Sequence, residues 1–154
     1  MIIKNENSIY IFYEMIEQLE PASILDVGMF LKRVGSVSRK IMGREVPENV
    51  KLDGVDFFPQ TSFPIWNTIY DQMKTAEEYF CAGDDKRYDL VTVLGISELQ
   101  KEISLTEIIE RTAEVSKYVL TDRLETEWCA HKRFVRAVDI KVEDDIFYLI
   151  EFGA

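Results

Sequence analysis

Short apolar runs alternate with helical patterns along this chain, and this alternation constrains the fold more than any other feature. The run at 88–94 (YDLVTVL) and the run at 23–28 (SILDVG) lack the regular polar alternation of a strand with one wet face. Such runs are typical of strands buried on both faces of a parallel sheet. Because parallel neighbours need a crossover, the helices between them indicate an α/β sheet with right-handed connections.

Local spacing predicts the remaining elements. Ser8 is the expected cap of the first helix, Gly43 the expected end of the second, and Ser104 with Glu107 forms a capping box before the last. The pattern predicts helices at 8–19, 36–42, 62–74 and after Ser104, and further strands at 52–58, 77–82 and 118–121.

The end of the chain follows a different pattern. Residues 134–143 and 146–152 flank Asp144-Asp145, which predicts a β-hairpin with a two-residue turn. At 154 residues the chain fits one domain with one core. We therefore predict a single α/β domain over residues 1–154, with a mostly parallel sheet that ends in an antiparallel hairpin.

Charge limits the classes of partner. The formal net charge is -10 and the isoelectric point is about 4.6. Nucleic-acid binding needs cations that displace phosphate counterions, so we expect no nucleic-acid partner, and equally no anionic membrane. The sequence shows neither a secretory signal nor a long apolar span. We expect a cytoplasmic protein in which Cys81 and Cys129 are reduced thiols.

Ligands of open parallel sheets bind beyond the carboxyl ends of the strands. The residues at those ends are, in chain order, Asp26 and Gly28, then Asp56 and Phe57, then Gly83 and Asp84, then Leu94 and Gly95. Together with Tyr88-Asp89-Leu90-Val91 and the final hairpin, this series resembles the class I S-adenosylmethionine-dependent methyltransferases. The resemblance implies a three-layer, Rossmann-like methyltransferase fold.

The resemblance also implies a role for each of these residues. S-adenosylmethionine would lie along Asp26, Gly28, Met29, Leu94 and Gly95. Asp56 would accept both ribose hydroxyls, and Phe57 or Phe58 would pack on the adenine ring. Asp84, after Gly83, would meet the adenine amino group. No catalytic residue is assigned.

The first turn departs from the family pattern of acid-x-Gly-x-Gly-x-Gly. Here Met29 and Phe30 stand where the family keeps small residues, and the next glycine is Gly35. Either this loop folds differently, or it closes the pocket for the methionine half of the cofactor. Lys32 and Arg33 in the same loop would suit an anionic ligand, or are ordinary solvated cations.

Two functions follow, and both are carried forward. One is methyl transfer from S-adenosylmethionine to a small molecule or protein, and the other is a catalytically inactive binding or assembly module. Dinucleotide binding is a weaker alternative, since the Gly-x-Gly-x-x-Gly pattern is absent. Cys129-Ala130-His131 lacks the further ligands of a zinc site, so we expect no metal. The aromatic cluster of Phe57, Phe58, Phe63, Trp66 and Tyr70 is assigned to the core, with an adenine wall or a homodimer surface as alternatives.

Overall fold

A computed structural model describes residues 6–57, 68–81, 87–99 and 103–154 of the chain. Its helices are α1 (Glu6–Leu19), α2 (Phe30–Arg33), α3 (Ala76–Cys81), α4 (Ile96–Leu99), α5 (Leu105–Val115) and α6 (Thr126–Ala130). Its strands are β1 (Ser23–Val27), β2 (Lys40–Ile41), β3 (Arg44–Glu45), β4 (Lys51–Asp56), β5 (Gln72–Thr75), β6 (Tyr88–Val93), β7 (Ser116–Thr121), β8 (Phe134–Val142) and β9 (Asp145–Phe152).

Seven of the described strands form one sheet in the order β5-β4-β1-β6-β7-β9-β8. The pairs from β5 to β7 are parallel, whereas β9 is antiparallel to both β7 and β8. Strand order reverses beside β1, so the crevice between the ends of β1 and β6 is the expected ligand site. The predicted three-layer, Rossmann-like fold is confirmed.

The strands are apolar because both faces of the sheet are covered. Side chains alternate along β1, where Ile24 packs on the layer of α1 and α2 and Leu25 packs on the layer of α3 to α6. Both are fully or almost fully buried. No helix among the described residues is long and apolar enough to span a membrane.

The helices α1 and α5 are close to prediction. Ser104 caps α5, and its hydroxyl accepts a hydrogen bond from the Glu107 backbone N–H at 3.3 Å. The first helix already begins at Glu6, so Ser8 lies inside it and is not its cap. The turn of the final hairpin is also displaced by one residue. Val142 pairs with Asp145, so the turn residues are Glu143 and Asp144.

The helix predicted at 36–42 is wrong. Residues 40–41 and 44–45 form the small β2-β3 hairpin, and Met42 and Gly43 are its turn residues with φ of 55° and 79°. Two consecutive positive φ angles are typical of a type I′ turn, in which glycine is favoured at no steric cost. Gly43 therefore lies in a hairpin turn and does not end a helix.

The helix predicted at 62–74 and the strand predicted at 77–82 are also wrong in the described residues. Gln72–Thr75 is β5, which pairs with β4, and Ala76–Cys81 is α3. The sequence contained the signal for α3, since Thr75 and Glu78 form a capping box. The Glu78 N–H donates to the Thr75 hydroxyl at 3.1 Å, and the Glu78 carboxylate accepts from the Thr75 N–H at 2.9 Å.

Candidate functional site

Asp26, at the carboxyl edge of the sheet, accepts four hydrogen bonds. It lies in β1 with no exposed surface. One carboxylate oxygen accepts from the Phe30 N–H at 2.9 Å and the Thr92 hydroxyl at 3.1 Å. The other accepts from the Tyr70 hydroxyl at 2.6 Å and the Leu31 N–H at 3.4 Å. Asp26 therefore joins β1 to the start of α2, to β6 and to the segment before β5.

Burial dominates the ionisation of this cluster. It raises the pKa of Asp26 above its usual value, although the hydrogen bonds from Tyr70 and Phe30 act in the opposite direction. Burial and the neighbouring Asp26 charge raise the pKa of Tyr70 as well. Tyr70 thus stays a neutral hydroxyl that donates to Asp26, which suits a structural cluster.

Asp56, the predicted ribose ligand, forms a buried ion pair. The Lys32 Nζ lies 3.0 Å from one carboxylate oxygen of Asp56 and 3.2 Å from the other. Only 8% of Lys32 and 7% of Asp56 is exposed. The ammonium group thus contacts both oxygens that a ribose diol would need. Neither sequence interpretation of Lys32 holds, because the side chain is neither solvated nor open to an anion.

Arg33 lies across the crevice at the topological switch point. Its Nε donates to the Gly28 carbonyl at 2.8 Å, and one terminal nitrogen donates to the Leu94 carbonyl at 2.5 Å. These carbonyls stand beyond β1 and at the end of β6. A methyl group added at Gly95 would lie 2.6 Å from the other terminal nitrogen. The guanidinium therefore bridges the two strand ends between which ligands of this fold bind.

Gly28 has the positive φ expected of the first turn, at 88°, and its N–H donates to the Val55 carbonyl at 2.8 Å. The space beside its Cα is filled by Leu99 of α4, since an added Cβ would lie 2.5 Å from a Leu99 methyl carbon. Leu99 has no exposed surface. Gly28 thus permits close side-chain packing at the position where the family pattern places the cofactor.

The departure after Gly28 produces a short helix. Met29 adopts the left-handed conformation and precedes α2, and Gly35, with φ of 80°, follows the end of α2. Met29 and Phe30 are buried in the core on the side of α1, where the Phe30 ring lies 5.4 Å from the ring of Phe12. The loop therefore folds differently from the family pattern, and Arg33 is the residue that bridges the crevice.

The other predicted site residues divide into two groups. Phe57 is buried against Phe80 of α3, with 6.1 Å between ring centres, and Leu94 is buried at the end of β6. Gly83 and Asp84 lie outside the described residues, as do Phe58, Phe63 and Trp66. The strand that was predicted to precede Gly83 and Asp84 is α3 in the described residues. Tyr70 is a core residue, as predicted.

S-adenosylmethionine would need the Asp56 carboxylate for its ribose and the space over Gly28 for its methionine half. Lys32 contacts the first, and Leu99 and Arg33 occupy the second. As arranged, the described residues at these strand ends do not fit the cofactor. Among the described residues, no group of three His, Cys, Asp or Glu side chains could hold a metal ion.

Sequence reasoning missed three residues of this site. Thr92 had a signal, since it is the one hydroxyl inside the apolar half of YDLVTVL, and a buried hydroxyl needs a partner. Tyr70 and Leu99 had none, because their contacts with Asp26 and Gly28 depend on where distant segments pack. His131 has a local structural role. Its Nδ1 accepts a hydrogen bond from the Arg133 N–H at 3.1 Å, and burial lowers its pKa.

The fold is that of methyltransferases of known structure. A bacterial Hen1 methyltransferase domain (CtHen1-C) superposes with a TM-score of 0.63 at 13% identity, over 97% of this chain and 99% of that one. The N-methyltransferase NodS of Bradyrhizobium japonicum gives 0.53 at 10% identity, over 96% and 97%. An Escherichia coli rRNA methylase gives 0.53 at 14% identity, and this chain spans 64% of it.

No family model matches the sequence, and no curated protein is similar to it. At identities this low, the structural likeness establishes the fold and leaves the activity open. The chain is therefore a methyltransferase-fold protein in which side chains of its own occupy the usual cofactor crevice.

Gly28→Ala is expected to lower the free energy of unfolding more than Gly35→Ala does. Both positions have positive φ, which costs an L-residue about 1–2 kcal/mol. Nothing lies within 4 Å of a methyl group at Gly35, whereas one at Gly28 meets buried Leu99, and overpacking adds about 1–3 kcal/mol. Urea denaturation of both variants measures the difference. Equal losses would show that Leu99 does not pack on Gly28.

Proposed function

We propose that this chain is a catalytically inactive member of the methyltransferase fold that works as a binding or assembly module. The proposal depends above all on one observation, the buried contact of Lys32 with both oxygens of Asp56. An ammonium that contacts both oxygens inside a buried site competes with a ribose diol for this carboxylate. Breaking a buried ion pair by withdrawing one partner is strongly unfavourable.

The bridge made by Arg33 supports the same conclusion independently. To enter between Gly28 and Leu94, a ligand would have to break two hydrogen bonds to backbone carbonyls. The α-ammonium of the methionine half could donate to these carbonyls only after the guanidinium has left them, so Arg33 and the cofactor would compete for the same acceptors. The two cations of α2 thus oppose both halves of the cofactor.

The test is calorimetric titration of the purified chain with S-adenosylhomocysteine and S-adenosylmethionine. We expect neither heat of binding nor thermal stabilisation. A ligand that bound only the native state would raise the melting temperature. Stoichiometric heat, or transfer of a labelled methyl group to any substrate, would overturn the proposal. The variant Lys32→Met/Asp56→Leu serves as control, since it lacks the acid that a ribose would use.

Methyl transfer from S-adenosylmethionine to a small molecule or protein is the second candidate. It is favoured by the acid at the end of β4 and by two turn glycines, Gly28 and Gly95, with positive φ. In that case α2 would have to move on binding. The same titration distinguishes the two candidates: wild-type binding that is lost in Lys32→Met/Asp56→Leu would identify Asp56 as a cofactor ligand.

A further inference from the structure

The outer edge of the sheet has no partner among the described residues. Strand β8 is the last in the strand order and pairs only with β9. It is nine residues long, and its register is irregular only near Phe134 and Arg136. Natural sheets usually protect such an edge by shortening, bulging or covering it, because its free N–H and C=O groups pair readily with another strand.

The two faces of β8 differ in chemistry. Val138, Ile140 and Val142 share the face beside α1 and line a cavity of about 420 Å³ there, together with Tyr10 and other residues. Val138 is 48% exposed and Tyr10 is 47% exposed. Strand alternation places Asp139 and Lys141 on the opposite face, although Lys141 also borders the cavity. Both are exposed, and neither side chain makes a hydrogen bond or ion pair with the described residues.

We infer that the free edge of β8 binds β8 of a second copy of this chain, antiparallel, about a two-fold axis at Ile140. In this register Asp139 lies opposite Lys141 of the second copy, and Lys141 lies opposite its Asp139. On the other face, Val138 lies opposite Val142 of the second copy, and Ile140 lies opposite itself. Directly opposed side chains of opposite charge stabilise antiparallel strands, as do branched apolar pairs.

Neighbouring registers lack this complementarity. An axis at Asp139 opposes the two Asp139 carboxylates, and an axis at Lys141 opposes the two ammonium groups. An axis at Val138 places the charge of Arg136 opposite Ile140. Moving the axis by one residue changes the partner of every side chain in the strand pair. A pattern that favours one alignment therefore fixes the register. The spacing of Asp139 and Lys141 therefore singles out the axis at Ile140.

The resulting dimer would contain one continuous sheet with seven strands from each copy. Its apolar stripe would extend the cavity between α1 and the hairpin across the axis. This interface lies away from the crevice at Gly28 and Asp56. The inference is therefore independent of whether the chain binds S-adenosylmethionine.

Charge exchange at the edge tests the inference, with molar mass measured by sedimentation or light scattering over a dilution series. Wild type is expected to dimerise, with about twice the 18.0 kDa mass of one chain. Asp139→Lys would place the introduced lysine opposite Lys141 of the second copy, and Lys141→Asp would place the introduced aspartate opposite its Asp139. Each pair of like charges would occur twice in the dimer. Either change should raise the dissociation constant about tenfold or more, since like charges directly opposite repel. The double variant Asp139→Lys/Lys141→Asp should restore the wild-type dissociation constant, because opposite charges face each other again.

Lys132→Asp is the matched control, because it changes net charge as Lys141→Asp does but lies outside β8. It should leave the dissociation constant unchanged. A monomeric wild type would overturn the inference. So would equal effects of Lys132→Asp and Lys141→Asp, or a double variant that is no stronger a dimer than the single ones.

Discussion

Lys32→Met is expected to lower the free energy of unfolding by about 3–5 kcal/mol, because it leaves Asp56 buried without the ammonium that contacts it. The methylene part of the side chain is largely preserved by methionine, so the change isolates the charge. Urea denaturation at neutral pH measures the effect. Lys40→Met is the control, since Lys40 is exposed and a surface change of this kind stays within about 0.5 kcal/mol.

The double variant Lys32→Met/Asp56→Leu separates a buried ion pair from a general packing defect. Replacing both partners of a buried pair by apolar residues is often neutral or stabilising. We therefore expect the double variant to recover most of the stability that Lys32→Met loses. A loss below about 1 kcal/mol for Lys32→Met would contradict the buried pair, because removing one partner of such a pair costs more than that.

Asp26→Ala is expected to cost at least about 3 kcal/mol, since each buried donor left without an acceptor costs about 1–3 kcal/mol. Four donors lose their acceptor, and the backbone N–H groups of Phe30 and Leu31 cannot rotate away. Asp26→Asn keeps one acceptor oxygen and should cost less. Equal losses for the two variants would contradict this expectation, because asparagine keeps the side-chain volume and one acceptor oxygen, whereas alanine keeps neither.

The difference in unfolding free energy between wild type and Asp26→Asn should depend on pH, because the pKa of Asp26 is raised. Because the folded chain holds this proton to higher pH than the unfolded chain, the stability from this group is fully present below the unfolded value, near 3.8. It is lost as pH rises through the folded pKa. The advantage of wild type over Asp26→Asn should therefore shrink as pH increases.

Denaturation of wild type and Asp26→Asn at a series of pH values measures that trend. Asp139→Asn is the control, because Asp139 is exposed, whereas the buried Asp26 accepts a hydrogen bond from Tyr70. An advantage of wild type that grows with pH would contradict a raised pKa for Asp26.

The strands of this fold could be predicted from sequence where their apolar runs were continuous. The strands β1, β4 and β6 lie close to the predicted positions because burial on both faces leaves a clear pattern. The edge strand β5 was missed. It is exposed at Gln72 and Thr75, so its sequence lacks that pattern, and its pairing with β4 is what makes it a strand.

The sequence by itself determined which residues stand at the strand ends. Asp26, Gly28, Asp56 and Gly95 are at the carboxyl edge because the order of strands and helices places them there. Only the tertiary structure decided what contacts them. Lys32 and Arg33 follow Gly28 closely in sequence, but their contacts with Asp56 and Leu94 depend on the direction in which the single turn of α2 presents them. That direction results from the packing of Met29 and Phe30 under α1, which no local pattern records.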